Sequence, residues 1–344
     1  MADWTEPGVF EVAPGVHRIP LPLPNDGLRA VNVYAIADGD GVVLIDSGWA
    51  LDEARDALES ALGSIGYEFT DVRRFLVTHM HRDHYTMAVS LRRMFGTKVA
   101  LGAGEQPSME WVMRDRLDRM FADVRRWGAL HLAEQLQAAH DPSSEETARR
   151  DYEDPDEWII GRASIDLDHR ELLALPTPGH TQGHLVFLDS AEGVMFTGDH
   201  VLPHITPSIG FEPVRAELPL GDYLDSLRLV RTYPDMRMLP AHGEIAPSVH
   251  SRVDELLAHH DDRLAATTAA VRAGTGTAFE TARALPWTRR HRKFDELNLF
   301  NAMLAVGETS AHLDLLVARG ELESSTVDGV KQYALAVFDS AERD

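Results

Sequence analysis

Thr78-His79-Met80-His81-Arg82-Asp83-His84 follows directly on the apolar run Phe75-Leu76-Val77. Four side chains able to bind metal, His79, His81, Asp83 and His84, fall within six residues at the point where a buried-type strand would end. In an extended chain His79 and His81 project to the same side, while Asp83 and His84 reach around the following turn. One segment therefore offers ligands to two neighbouring ions. Two complete sites would need further ligands from elsewhere in the chain.

Three further segments repeat the layout of a β-like apolar run ending in a turn that carries a ligand type. Leu172-Leu173-Ala174-Leu175 leads into Pro176-Thr177-Pro178-Gly179-His180, and Val194-Met195-Phe196-Thr197 leads into Gly198-Asp199-His200. Met236-Arg237-Met238-Leu239 leads into Pro240-Ala241-His242-Gly243. A glycine beside each ligand lets the backbone bend sharply there. Taken together, His79, His81 and His180 make a three-nitrogen set, Asp83, His84 and His242 make a second set, and Asp199 is the candidate bridge. With imidazole and carboxylate and no thiolate, the donors suit two divalent ions, zinc first, with iron or manganese as alternatives.

HxHxDH after a strand, then TPGH, then GD, then a late AHG, in that order, resembles the metallo-β-lactamase superfamily in its binuclear, glyoxalase II-like form, over roughly residues 9 to 250. The resemblance implies an α+β fold, an αβ/βα four-layer sandwich with the metals on loops at one edge between two sheets. It also implies a role for Asp46. Val42-Val43-Leu44-Ile45-Asp46-Ser47-Gly48 reads as a buried strand ending in an aspartate, and similar proteins use this carboxylate to orient a ligating histidine or its loop. His184 reads as a structural histidine at the start of the strand Leu185-Val186-Phe187-Leu188. His200 and His204 are open between a role near the site and solvent-exposed loop positions.

Composition narrows the function. The 344 residues contain 44% hydrophobic residues and no cysteine, which leaves no disulfide, no thiol nucleophile and no cysteine-containing lactamase-type second site. The net charge of −22 disfavours general nucleic-acid binding, because a phosphate backbone needs a basic surface. The dense basic run Arg289-Arg290-His291-Arg292-Lys293 reads either as a solvated basic face or as a seat for a phosphorylated group such as that of a coenzyme A ester. The opening residues lack a basic start and an apolar stretch, and no run is long enough to span a bilayer, so a cytoplasmic location without membrane attachment is the expectation.

The layout predicts a catalytic domain over residues 1–250 and a smaller, mostly helical, winged-helix-like domain over 251–344. A helix is expected over 51–63, with Leu51, Ala54, Leu58 and Leu62 on one face, and another over 86–95. A helical insertion runs from about 105 to 156, where Met109, Val112, Met113, Leu117, Met120, Phe121 and Val124 recur at helical spacing. Two readings of it are open: a lid over an apolar part of the substrate, or a face packed on the sandwich or on a partner subunit in a homodimer. After His242, helical patterning runs to Leu264, breaks at Gly274-Thr275-Gly276, resumes from Asn298 to Val306, gives a second capped helix over Glu308 to Leu316, and ends in a β-like stretch from Val330 to Val337. Acidic residues around the late helix favour packing or dimerisation over DNA reading.

The chemistry expected is hydrolysis of a small-molecule thioester, ester or lactone by a metal-bridging hydroxide, with Asp83 also placed as a catalytic residue to orient the hydroxide or carry a proton. A phosphodiesterase or ribonuclease and a β-lactam hydrolase are the alternatives. Asp199 and His242 are too close in sequence to admit the large insertion of some related nucleases.

Overall fold

The computed structural model describes residues 3–24, 27–114, 118–140, 146, 149–288 and 292–336. Of the residues named above, Leu117, Arg289, Arg290, His291 and Val337 lie outside these. The first sheet is seven-stranded, with β1 (Phe10–Ala13), β2 (Val16–Pro22), β3 (Ala30–Asp38), β4 (Gly41–Ile45), β5 (Val72–Leu76), β6 (Lys98–Gly102) and β7 (Glu157–Ile159) side by side in chain order. Strands β1 to β4 are antiparallel, and β4 to β7 run parallel. The second sheet contains β8 (Ala163–Leu167), β9 (Arg170–Pro176), β10 (Leu185–Asp189), β11 (Val194–Gly198) and β12 (Arg237–Pro240), antiparallel except for the β11–β12 pair.

Apolar side chains on both faces of these sheets build three cores. Tyr34, Ile36, Val43 and Ile45 of the first sheet meet Leu172, Phe187 and Phe196 of the second, and Tyr34 stands edge-on to Phe196 at 5.2 Å between ring centroids. Burial on both faces explains why β3 and β4 read as continuous apolar runs and not as alternation. Helices α1 (Asp52–Ser64), α2 (Arg82–Phe95) and α3 (Gln106–Arg114) cover the outside of the first sheet through Leu58, Leu62, Val89 and Met109. The outside of the second is covered by α4 (Asp118–Arg126), α5 (Leu130–Ala139), α6 (Pro219–Arg231), α7 (Val249–Arg272), α8 (Ala278–Ala284) and α9 (Leu299–Ala318). Helix, sheet, sheet and helix give the four layers of the expected sandwich.

Three expectations change in detail. Helix α2 begins at Arg82, four residues before the expected start, so Asp83 and His84 lie in its first turn and not beyond a loop. The insertion divides between two cores: α3 joins the layer over the first sheet, whereas Val124, Leu132 and Ala133 of α4 and α5 are buried with Val306 and Leu313 of α9. Trp127 lies against Gly307, where an added Cβ would meet the ring at 3.1 Å, so this apolar face is occupied by intramolecular packing and is not free to form a lid. The two late helices are one, α9, capped by the Asn298 side chain accepting from the Asn301 amide and buried from Ala302 to Leu316 on most of its circumference. An antiparallel hairpin of β13 (Leu322–Val327) and β14 (Val330–Leu335) follows it. Among the described residues no helix is long and apolar enough to cross a membrane.

Candidate metal centre

Strands β5, β9, β11 and β12 end along one rim of the sandwich, and the turns that follow them bring His79, His81, Asp83, His84, His180, Asp199 and His242 together. His79 Nε2 lies 3.0 Å from His81 Nδ1, and His180 Nε2 lies 3.1 Å from the same atom. Three nitrogens around one tetrahedral ion with bonds of about 2.05 Å stand about 3.3 Å apart, so this triad is close to ligand spacing. In the second group His242 Nε2 lies 3.4 Å from Asp83 Oδ2, and His84 Nε2 lies 3.6 Å from it. Asp199 faces both groups. Its Oδ2 is 3.6 Å from His180 Nε2, and its Oδ1 is 3.4 Å from His242 Nε2 and 3.7 Å from His84 Nε2.

The outward nitrogens decide the orientation of the inward ones. His242 Nδ1 donates to the Ala30 carbonyl at 2.8 Å, His180 Nδ1 to Ser208 at 2.7 Å and His81 Nε2 to Phe211 at 3.1 Å. His84 Nδ1 meets Asp46 Oδ2 at 2.9 Å. Thr78 spends its single hydroxyl proton on Asp46, so its oxygen accepts from His79 Nδ1 at 3.0 Å. All five imidazoles thus hold their proton on the outer nitrogen and turn a lone pair inward. His84 Nε2, His242 Nε2 and Asp199 Oδ1 are buried without a hydrogen-bond partner, an arrangement costly for the protein alone and suited to a cation.

Charge agrees with geometry. Burial depresses His79, His81 and His180, His81 to about 3, so these three are neutral donors. Burial also opposes protonation of His84, but Asp83, Asp46 and Asp199 outweigh it and carry that imidazole up to about 10. His242 moves upward against its own burial through Asp199 and Asp83. Burial works against Asp83 and Asp199 as anions, yet the facing histidines hold both below the ordinary carboxylate range. Three carboxylates therefore draw a second, inward proton onto the His84 and His242 imidazoles, a positive charge that divalent ions would replace and so free the inward lone pairs.

Asp46 lies against the candidate ligands His84 and, through Thr78, His79, accepting also from the Thr78 amide at 2.8 Å. His184 is fully buried and uses both ring nitrogens. Nε2 accepts from the Asp199 amide at 3.1 Å, so Nδ1 donates to Thr177 Oγ1 at 2.9 Å, and the ring stacks on His79. It orients the centre and has no lone pair left for an ion. His200 is also fully buried, not on an exposed loop, and packs edge-on to Tyr223, while His204 is exposed.

Sequence reasoning missed the parts that hold the His242 turn: Asn32 Nδ2 donates to the carbonyls of Pro240 and Gly243, and the Tyr34 hydroxyl donates to Pro240. It also missed the β11–α6 connection, whose carbonyls at Ser208 and Phe211 cap two histidines of the first triad. Backbone acceptors impose no residue type, so they left no signal to read.

A sequence model of the metallo-beta-lactamase superfamily matches residues 26–242. The chain belongs to that superfamily. Over 94% of its length it superposes on the whole of a metallo-beta-lactamase family protein of Thermus thermophilus, with a TM-score of 0.78 and 26% identity. It is similar to the probable metallo-hydrolase YqjP of Bacillus subtilis, at 25% identity over 89% of this chain and 93% of that one. It is also similar to the atrochrysone carboxyl ACP thioesterase of Aspergillus fumigatus, at 24% identity over 71% of this chain and 45% of that one. The chain spans less than two thirds of the length of several curated relatives it matches. That superfamily is one of metallo-hydrolases, and the clustered histidines and aspartates of this chain suit divalent metal.

Proposed function

We propose that this metallo-hydrolase cleaves a thioester, ester or lactone at a two-ion centre. His79, His81 and His180 would hold one ion, Asp83, His84 and His242 the other, and Asp199 would reach both, with zinc the first choice for an all nitrogen and oxygen donor set. The observation that carries the reading is the capping of all five histidines on their outer nitrogens, which leaves two sets of inward lone pairs on either side of one carboxylate. Bound there, the ions would supply a hydroxide near neutral pH and draw electron density from a substrate carbonyl.

The chain's own residues supply position and orientation. His84 and His242 are fixed by Asp46 and by the Ala30 carbonyl, so neither can rotate its lone pair away. Asp83 remains an anion with its side chain 15% exposed, so with Oδ2 turned to His84 and His242 its other oxygen would accept a hydrogen bond that orients the attacking hydroxide, and among the described residues the centre offers no strong proton donor to a departing group. Thioesters and activated esters need little protonation of that group, which suits a centre with one accessible carboxylate and no cysteine. The name of the Aspergillus relative supports the same class.

Metal analysis of the purified protein beside a panel of thioesters, esters, lactones, phosphodiesters and β-lactams tests this. Two ions per chain with chelator-sensitive acyl turnover is the expected result. Phosphodiester turnover with silent acyl substrates would overturn it.

A further inference from the structure

We propose that Phe211 and Phe300 form a preformed aromatic wall beside the metal centre that selects substrates with an aromatic or bulky apolar acyl group. The inference rests on the acyl-hydrolase reading and deepens it. His81 is only partly buried, which puts it on the solvent side of its triad. The Phe211 ring lies 6.2 Å from the His81 ring, and Phe300 stands edge-on to Phe211 at 5.4 Å and 89°. Two aromatic rings thus lead outward from a proposed ligand.

Phe300 is 50% exposed on the first turn of α9, a helix otherwise buried along most of its length. Exposing an aromatic ring there forgoes burial that the neighbouring core offers, and an apolar surface continuous with a reactive centre fits a substrate group in contact with it. The wall is held in place before any ligand arrives. The Phe211 carbonyl accepts from His81 Nε2, so the ring's position is tied to that histidine. Its neighbour Glu212 accepts from the Gln182 amide at 3.1 Å and from Ser108 Oγ at 3.4 Å, and Val214 O accepts from the Gln182 side chain. The same connection is therefore clamped between α3 and the His180 turn, and little ordering remains to oppose binding.

Contact between a bicyclic aromatic group and the Phe300 ring would be worth about tenfold in selectivity. The test compares naphthoyl and acetyl thioesters of one thiol with the metal-loaded full chain. Phe300→Ala should lower the naphthoyl-to-acetyl ratio of kcat/KM about tenfold, mainly through KM, and Phe300→Tyr should restore it. Phe95→Ala, at a comparably exposed phenylalanine on α2, should leave the ratio where it was. Binding of 2-naphthoate measured calorimetrically gives a readout without turnover, and Phe300→Ala should weaken it by a similar factor. An unchanged ratio together with unchanged naphthoate affinity would overturn the wall. Weakened naphthoate binding in a protein that cleaves no acyl substrate would keep the wall and overturn the acyl-hydrolase reading instead.

Discussion

Asp46 Oδ2 accepts a hydrogen bond from His84 Nδ1 at 2.9 Å, while Oδ1 of the same carboxylate accepts from the amide and hydroxyl of Thr78. One aspartate thereby sets the start of α2 and the turn after β5 at a fixed separation, and through Thr78 it also fixes His79. Its backbone is in the left-handed region, φ 60°, which asparagine tolerates as well as aspartate does. Asp46→Asn should therefore fold but weaken ion binding, because the amide nitrogen can face His84 Nδ1 and release the ring to its other tautomer. A loss of about 10- to 100-fold in metal affinity is expected, the range typical of outer hydrogen-bond partners. Competition with a chromophoric chelator measures it, and wild-type affinity in a folded variant would remove Asp46 from the centre's support.

Asp199 has an oxygen directed at each ligand group, so its removal should affect both. Asp199→Ala is expected to lower metal content below two ions per chain and to cut turnover on the order of 100-fold or more, beyond the effect of an outer partner. Elemental analysis after dialysis, read beside acyl turnover, makes the check. Two retained ions with full activity would sink the bridging role.

Gly198 joins β11 to Asp199 with φ 50°, and a Cβ there would fall 2.7 Å from His184 Nε2 and 2.8 Å from Thr78 Cβ. Neither neighbour can retreat: His184 holds the Asp199 amide, and Thr78 holds Asp46. Gly198→Ala should cost about 2–4 kcal/mol from strain and overpacking together. Urea unfolding of the metal-free protein reads the cost directly, and a midpoint equal to that of wild type would contradict the close approach.

Much of this arrangement was legible in the chain because ligand-bearing turns follow strands, and strands announce themselves as apolar runs. His79, His180, Asp199 and His242 each stand a few residues past such a run, so the pattern located the rim where they meet. The burial of His200 was not legible, since a polar residue after a turn gives no sign that Tyr223 and α6 will cover it. Amphipathic spacing through Met120, Phe121 and Val124 of α4 showed that an apolar face exists but not what covers it. That partner, α9, comes far later in the chain, beyond the reach of local periodicity.

Glu105 offers a test of the support beneath His180. It is fully buried, its Oε1 accepts the Thr181 hydroxyl, and its Oε2 has no partner. Burial, reinforced by nearby Glu212, pushes its carboxyl up to about 8 from an ordinary 4.5. For an acid whose folded pKa lies above its unfolded one, folding favours the protonated form. Its contribution is therefore intact below about pH 4.5, is lost progressively as pH rises toward 8, and stays constant above that. Glu105→Gln keeps an acceptor for Thr181 and cannot ionise. At about 1.4 kcal/mol per pH unit, the variant should match wild type near pH 5 and exceed it near pH 9 by on the order of 2–4 kcal/mol. Paired urea melts at the two pH values, with the same metal loading in both proteins so that shared ion linkage cancels, give the difference. Parallel pH profiles for variant and wild type would mean that Glu105 does not change charge on folding, and that its unpartnered oxygen is satisfied some other way.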